Sequence, residues 1–321
     1  MGHYILRQLA SIIPTILMSV VINFILLHAA PGDPARVMAG RDNPSEEQIA
    51  AIRAQLGLDQ PLPVQFWNYA KELAQGNLGQ SITYKQPVFD LIVERLPATL
   101  LLTVTSAVIA LVVGTLLGVV AARKFGSPTD TALSFTNYTM FAMPSFWLGL
   151  ILIVIFSSKL GWLPTAGMRT VRADYTGWRD TLDVLQHLIL PVATLALVQI
   201  PIYFRITRAS VVQQQREDYV TTFRATGMPQ SKVFRRYALR NALLPTVTVF
   251  GLGFGFVFTG AALVEIVFAW PGIGRLTLDA VFRRDYPLLL GVYLMLAVAV
   301  SIAVLITDIV YAWLDPRIRL R

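Results

Sequence analysis

Ser106, Ser134 and Ser301 are hydroxyls that could serve as buried nucleophiles, since each stands in an apolar stretch of the 321-residue chain. Hydrolysis or acyl transfer at such a depth needs a general base within hydrogen-bond reach. The chain has three histidines, and the sequence offers these serines no obvious partner among them. His28 and His187 lie near the ends of apolar stretches, where an interfacial place is expected rather than proton carriage. There is no cysteine, which excludes disulfides, thiolate zinc sites, iron–sulfur clusters and cysteine nucleophiles. Three scattered histidines also argue against a histidine-rich metal site. A G-x-x-x-x-G-K-[S/T] phosphate loop is absent, so the chain lacks the usual means of drawing work from ATP. The expectation is no catalytic residue, no metal and no cofactor bound by this chain.

The segment 205–241 carries chemistry of another kind. Glu217 and Asp218 place negative charge ahead of a short helical run, which is favourable at a positive helix N-terminus. Tyr219 and Phe223 are four apart and share a face. Gly227 falls where that helix should stop. Pro229 suits the first turn of a second helix, because its missing N–H would be unpaired there. Lys232, Arg236 and Arg240 follow as a basic stripe at i, i+4 spacing. The pattern is helix, glycine break, helix, with the aromatic face presented outward. From these residues alone, an amphipathic segment lying on anionic lipid headgroups remains open.

Composition says what must position that segment. Hydrophobic residues make up 55% and charged residues 14%, with a mean hydropathy of +0.58. Soluble chains carry about 25% charged residues, so a water-soluble body of this size and a disordered chain are both excluded. Six charge-free stretches exceed twenty residues: 8–32, 96–122, 131–158, 184–204, 241–264 and 286–307. A bilayer core needs roughly 20 apolar residues of helix, so six transmembrane helices are expected. The first is too long for the roughly 7–15-residue apolar region of a signal peptide, and is read as uncleaved. Gly251-Leu252-Gly253-Phe254-Gly255 sits inside the fifth stretch and reads as close helix packing.

Orientation follows from lysine and arginine between spans. With the N-terminus inside, the cytoplasmic parts hold fourteen basic against four acidic residues, and the outside parts thirteen against fourteen. Both termini are then cytoplasmic, and the positive charge reflects topology rather than nucleic-acid binding. The division expected is 1–30, the N-terminus with the first span; 31–96, an external helical segment; and 97–321, a core of five spans with the loop 205–241.

Between the first two spans, Ser45 and Gln48 have capping-box spacing. Ile49, Ile52 and Leu56 share a face, and Gly57 can end that helix. Pro61 and Pro63 restart the chain, and Phe66, Ala70 and Leu73 form a second stripe ending near Gly76. These helices cap the spans or dock an external partner. Trp162, Pro164, Tyr175 and Trp178 in the second outside segment suit a membrane interface. Pro271-Gly272-Ile273-Gly274 reads as a tight turn. Glu265, closing the fifth span, is expected to be solvated at the interface, with gating as the alternative. Asn137, Met140, Phe141 and Met143 in the third stretch and Gln199 in the fourth suit helix packing or pathway lining.

Asp218-Tyr219-Val220-Thr221-Thr222-Phe223-Arg224-Ala225-Thr226-Gly227, followed by Arg240-Asn241-Ala242-Leu243-Leu244-Pro245, resembles the coupling segment of binding-protein-dependent ABC importer permeases. The dipeptide and oligopeptide permease B subunits are the most similar branch, over nearly the whole chain. Pro31-Gly32-Asp33-Pro34, Gly76-Asn77-Leu78-Gly79-Gln80-Ser81 and Pro144-Ser145-Phe146-Trp147 add to the likeness. So do Glu265 with Phe268, Trp270-Pro271-Gly272-Ile273-Gly274, Asp285-Tyr286-Pro287, and the ending Asp308, Tyr311, Asp315-Pro316-Arg317. Asn77 departs from the family's usual Asp. Thr221, Phe223 and Thr226 replace an Arg, an Ala and a Lys, removing two positive charges and adding an aromatic ring.

The resemblance implies an all-α polytopic permease in a bacterial or archaeal cytoplasmic (inner) membrane, with the ABC importer permease fold and a cytoplasmic coupling helix. It implies a second homologous permease, two ABC ATPases that use ATP and Mg, and a periplasmic or extracellular solute-binding protein. Asp218, Tyr219, Thr222, Phe223, Arg224, Ala225 and Gly227 would then couple to an ATPase. Asn137, Phe141, Met143 and Gln199 are pathway candidates, and Glu265 and Trp270 are external gate or docking candidates. Peptide is the leading substrate class; glutathione, a nickel chelate or an oligosaccharide stay open. An ion-coupled transporter is the rival, but such proteins use ionisable groups at mid-membrane, and here the spans are nearly free of charge.

Overall fold

The computed structural model describes residues 2–29, 36, 45–55, 59–171, 173–254 and 261–314. Pro31-Gly32-Asp33-Pro34, Asn43-Pro44, Leu56-Gly57, Gly255 and Asp315-Pro316-Arg317 lie outside them, as do the side chains of Arg7, Ile52, Asp308 and Tyr311. In chain order the helices are α1 (Gly2–Ala29), α2 (Glu46–Gln55), α3 (Leu62–Ala74), α4 (Val88–Arg123), α5 (Pro128–Ala142), α6 (Ser145–Leu152) and α7 (Trp178–Gln214). Then come α8 (Asp218–Ala225), α9 (Gln230–Val233), α10 (Leu239–Ala242), α11 (Leu244–Phe254), α12 (Ala262–Val267), α13 (Ile273–Arg283) and α14 (Tyr286–Leu314). A π-helical stretch, Ile153–Lys159, extends α6, and another, Phe234–Ala238, joins α9 to α10.

Among the described residues, α4, α7 and Tyr286–Leu305 of α14 are each long and apolar enough to cross a membrane. The third expected span is not one helix. α5 and the α6 stretch qualify only as a pair bent by 105°. Pro144 stands at the break with φ −60° and ψ 133°, and its ring and missing N–H stop the helix there. The apolar part of α1 is Ile12–Leu26, and the stretch 241–264 is divided between α11 and α12.

The chain forms two compact units. The first comprises Met1–Pro97 and Gly272–Arg321. Ser45 and Gln48 make the expected reciprocal cap, with bonds of 3.1 and 3.2 Å. α3 ends in a Schellman turn: Gly76 at φ +81° lets Asn77 N–H reach Glu72 O at 3.0 Å and Gly76 N–H reach Leu73 O at 3.0 Å. α3 lies on α1, where Phe66 meets Phe24 edge-on at 5.3 Å and His28 pairs with Gln65 at 2.9 Å. Asn23 Nδ2 donates to Leu290 O at 3.0 Å, fixing α1 to α14. Val88, Leu91 and Ile92 pack with Ile273, Leu276, Leu288 and Val292. Beside this core the buried Asp285 accepts from Ser81 Oγ at 2.5 Å and from Thr83 N–H at 2.9 Å. Two sequence signatures far apart in the chain, 76–81 and 285–287, therefore meet.

The second unit is Ala98–Pro271. Its core joins Leu102 of α4, Leu188, Leu190 and Leu195 of α7, Val264, Phe268 and Trp270. α4 and α7 approach with backbone contact. A Cβ on Gly114 would sit 2.7 Å from Ile200 O, and one on Gly118 would sit 2.8 Å from Phe204 O. The close packing expected at 251–255 is absent at Gly253, where a Cβ would meet only the Tyr203 hydroxyl at 3.9 Å. Among the described glycines, Gly114 and Gly118 make a close approach to the backbone of a neighbouring helix.

Candidate functional site

α7 is 37 residues long. At 1.5 Å per residue it spans about 55 Å, well beyond a hydrocarbon core of roughly 30 Å. Its ends therefore reach past an apolar layer, and its last turn leads directly into α8. At Gln214 the side chain accepts a 2.7 Å bond from Tyr219 Oη, which sets the angle of the corner.

α8 begins after Glu217, with Asp218 in its first turn. It closes with a second Schellman turn. Gly227 has φ +80°, Gly227 N–H donates to Arg224 O at 3.0 Å, and Met228 N–H donates to Phe223 O at 3.2 Å. Phe223 and Met228, the residues this motif brings together, pack on one small core with Val220, Val233 and Ala238. Tyr219 and Phe223 meet edge-on at 6.2 Å, and Phe223 stacks against Tyr237 at 4.4 Å.

The aromatic face thus packs in part against the returning helix. Tyr219 and Phe223 are both half-buried, so the expected aromatic face is partly covered by the returning helix, which removes part of its apolar area from water. The face left outside carries Asp218, Thr221, Thr222, Arg224, Ala225 and Thr226. Thr222 and Thr226 bond back to Asp218 O at 3.0 Å and Phe223 O at 2.9 Å.

The returning helical segment of the lever also differs in detail. Pro229 precedes α9 as its cap rather than occupying its first turn. The π-helical stretch Phe234–Ala238 adds a residue to the turn, so Lys232, Arg236 and Arg240 are all exposed but do not keep a strict four-residue register.

A clamp that the sequence reading missed holds the base of this lever. Asp130, buried, takes a bidentate pair from Arg208 at 2.6 and 2.7 Å. It also accepts from Gly126 N–H at 3.0 Å, while Ser127 caps α5 through Asp130 N–H. Phe125 lies under both Arg208 and Arg216 at 5.1 and 5.7 Å. The available signal was Ser127-Pro128-x-Asp130, a cap with proline at the first helical position. Thr207 and Thr246 bond at 2.8 Å, tying α7 to α11.

The other candidates are placed differently. Asn137 is buried and donates to Leu133 O at 2.9 Å within its own helix. Phe141 is exposed, Met143 lies half-buried at the break before Pro144, and Gln199 is half-buried on α7. No hydrogen bond or ring contact joins these four among the described residues. Glu265 and Trp270 are brought together in the second unit. Glu265 is 0% exposed and accepts from Thr99 Oγ1 at 3.0 Å, so the expected solvated position is corrected. Trp270, also fully buried, donates from Nε1 to Ala98 O at 2.8 Å and from its backbone to Glu265 O at 2.7 Å.

Comparison with known proteins agrees with this architecture. Residues 114–320 match the family model described as binding-protein-dependent transport system inner membrane component, and residues 1–103 match the N-terminal model of the same systems. The chain is 40% identical to the di/tripeptide transport system permease protein DppB of Pseudomonas aeruginosa (strain UCBPP-PA14), with 99% of each chain covered. It is 40% identical to the glutathione transport system permease protein GsiC of Salmonella typhimurium (strain LT2), again over 99% of each. The oligopeptide transport system permease protein AppB of Bacillus subtilis (strain 168) is 38% identical at the same coverage. An external binding protein and ATPase partners are implied by such membership. The all-helical chain belongs to the inner membrane component family of binding-protein-dependent transport systems, and is a multi-pass, non-catalytic permease subunit of an ABC importer.

Proposed function

We propose that the chain forms one half of a translocation pathway for peptides, pairs with a second homologous permease, and is driven by two ATPase subunits that bind ATP and Mg. The observation that carries this reading is α8: a short helix locked at both ends, anchored to the long α7, with a polar face left uncovered. In this role Asp218, Thr222, Arg224 and Ala225 face the ATPase. Tyr219, Phe223 and Gly227 keep the helix rigid, so that closure of the ATPases moves α7 rather than bending α8.

The reading includes six spans with both termini in the cytoplasm of a bacterium or archaeon, supported by the fourteen basic and four acidic residues on that side. The segment 31–96 lies outside, between the first span (1–30) and the permease core (97–321). Asn137, Phe141, Met143 and Gln199 are proposed to border the pathway. The burial of Glu265 and Trp270 favours an external gate over a docking surface, since a docking residue must be reachable.

Peptide leads because two of the similar permeases are named for di/tripeptide and oligopeptide transport. Glutathione is the second reading, favoured by the equal identity to the glutathione permease. The test is gentle affinity purification from the native membrane, then uptake in vesicles with the external binding protein. Two nucleotide-binding subunits and a second permease are expected to co-purify. Phe223→Asp and Gly227→Pro are expected to abolish uptake while the chain still inserts. Normal uptake by both variants would end the coupling assignment.

A further inference from the structure

We propose that the base of the lever holds the phosphate of an anionic phospholipid. A cavity of about 330 Å³ opens there, lined by Arg123, Gln215, Arg224, Gln230, Ser231 and Arg235. Three exposed arginines, Arg123, Arg224 and Arg235, line it, and none has a carboxylate partner among the described residues. Arg123 is steadied over the Phe234 ring at 5.2 Å. The Gln215 Nε2 donor is buried with no acceptor among the described residues. Unpaired like charges around a small space repel one another, and a buried donor without an acceptor is costly. An oxyanion answers both. Phosphate suits it best, because arginine forks pair with two phosphate oxygens at once.

The route to the cavity identifies the source. Arg123 is the last residue of α4, a spanning helix. Val112, Leu116 and Val120 precede it at four-residue steps, and all three are exposed. With Arg123 three residues further on, they form one continuous apolar stripe that ends at the arginines. An acyl chain lying along that stripe would deliver its headgroup phosphate to the cavity. This inference rests on α4 crossing the membrane and on Arg123 and Arg235; Arg224, which belongs to the ATPase face in the proposed reading, borders the cavity but is not required by it.

The experiment uses the importer as purified with its co-purifying subunits, stripped of bulk lipid in mild detergent. Native mass spectrometry then reads the retention of added dioleoylphosphatidylglycerol, and separately of inorganic phosphate. The wild type is expected to keep one phosphatidylglycerol per copy of this chain. Arg123→Gln with Arg235→Gln is expected to weaken retention about tenfold or more, since each removes a charged hydrogen bond. Lys124→Gln, a neighbouring cation that does not line the cavity, is expected to leave it unchanged. Arg235→Lys, which keeps charge but loses the fork, should fall between. Equal lipid retention by wild type and double variant overturns the proposal. Retention of inorganic phosphate in place of lipid overturns the lipid as source. Cross-linking from Ser231→Cys to an ATPase subunit, with no lipid bound, also overturns it. The same spectra show whether ATPase subunits co-purify, so failure of the coupling reading is separable from failure of this one.

Discussion

The crossing of α4 and α7 and the lever that follows α7 both depend on glycine, for opposite reasons. At the crossing, Gly114 and Gly118 are needed for their surroundings: an added Cβ would strike the backbone carbonyls of Ile200 and Phe204. In the lever, Gly227 is needed for its own backbone, at φ +80° with nothing within 4 Å of an added Cβ. A carbonyl in a helix cannot move aside without breaking its hydrogen bond, so the crossing has no slack. Gly227 itself faces open space, while the lever is held by ring contacts, a small core and one turn. The crossing therefore bears on whether the protein survives, and in the proposed function the lever bears on whether it couples.

That contrast can be broken by substitution. Gly118→Val should have the largest effect, costing ~3 kcal/mol through overpacking against fixed backbone. It should appear as lost chain in the membrane fraction and a lowered unfolding midpoint; near-normal abundance would mean that the crossing yields. Asp130→Ala leaves Arg208 without its buried partner, and is expected to cost about 2–3 kcal/mol, less than a fully buried pair because Arg208 is partly exposed. Thermal unfolding of the purified complex measures it, and Arg208→Met on top of Asp130→Ala should recover part of the loss. Gly227→Ala should cost about 1 kcal/mol, the penalty of a left-handed backbone for a residue with Cβ. Its expected signature is a larger fall in uptake than in abundance. The smallest effect belongs to Thr221→Arg with Thr226→Lys, which returns the two missing charges to exposed positions. Stability should shift by less than about 0.5 kcal/mol, while ATPase activity stimulated by the binding protein reports whether those charges matter for coupling.

Local features were legible where the residues that make them are neighbours. The cap of α2 by Ser45 and Gln48, the glycine stops at Gly76 and Gly227, and the Tyr219–Phe223 face each involve groups within a few residues. Asp285 and Ser81 were both visible as parts of a family pattern. Their bond was not, because 204 residues separate them. The 105° break before Pro144 could have been read from the proline, but a run of 28 charge-free residues outweighed it. Hydropathy counts charge and ignores the backbone.

The sequence by itself determined the solvent and the local geometry. Without enough charge to face water the chain must enter a membrane, and short-range caps and turns define the helix–glycine–helix lever. Tertiary structure decided which faces those elements use. The rings of α8 are partly covered because the returning helix offers Tyr237 and a small core to pack against. Glu265 is buried where Thr99, 166 residues away in the chain, can donate to it. Gly114 and Gly118, not Gly253, mark the close approach because helix crossing angles depend on every side chain between two axes. Such choices are sums over residues distant in the chain, and no window along the sequence contains them.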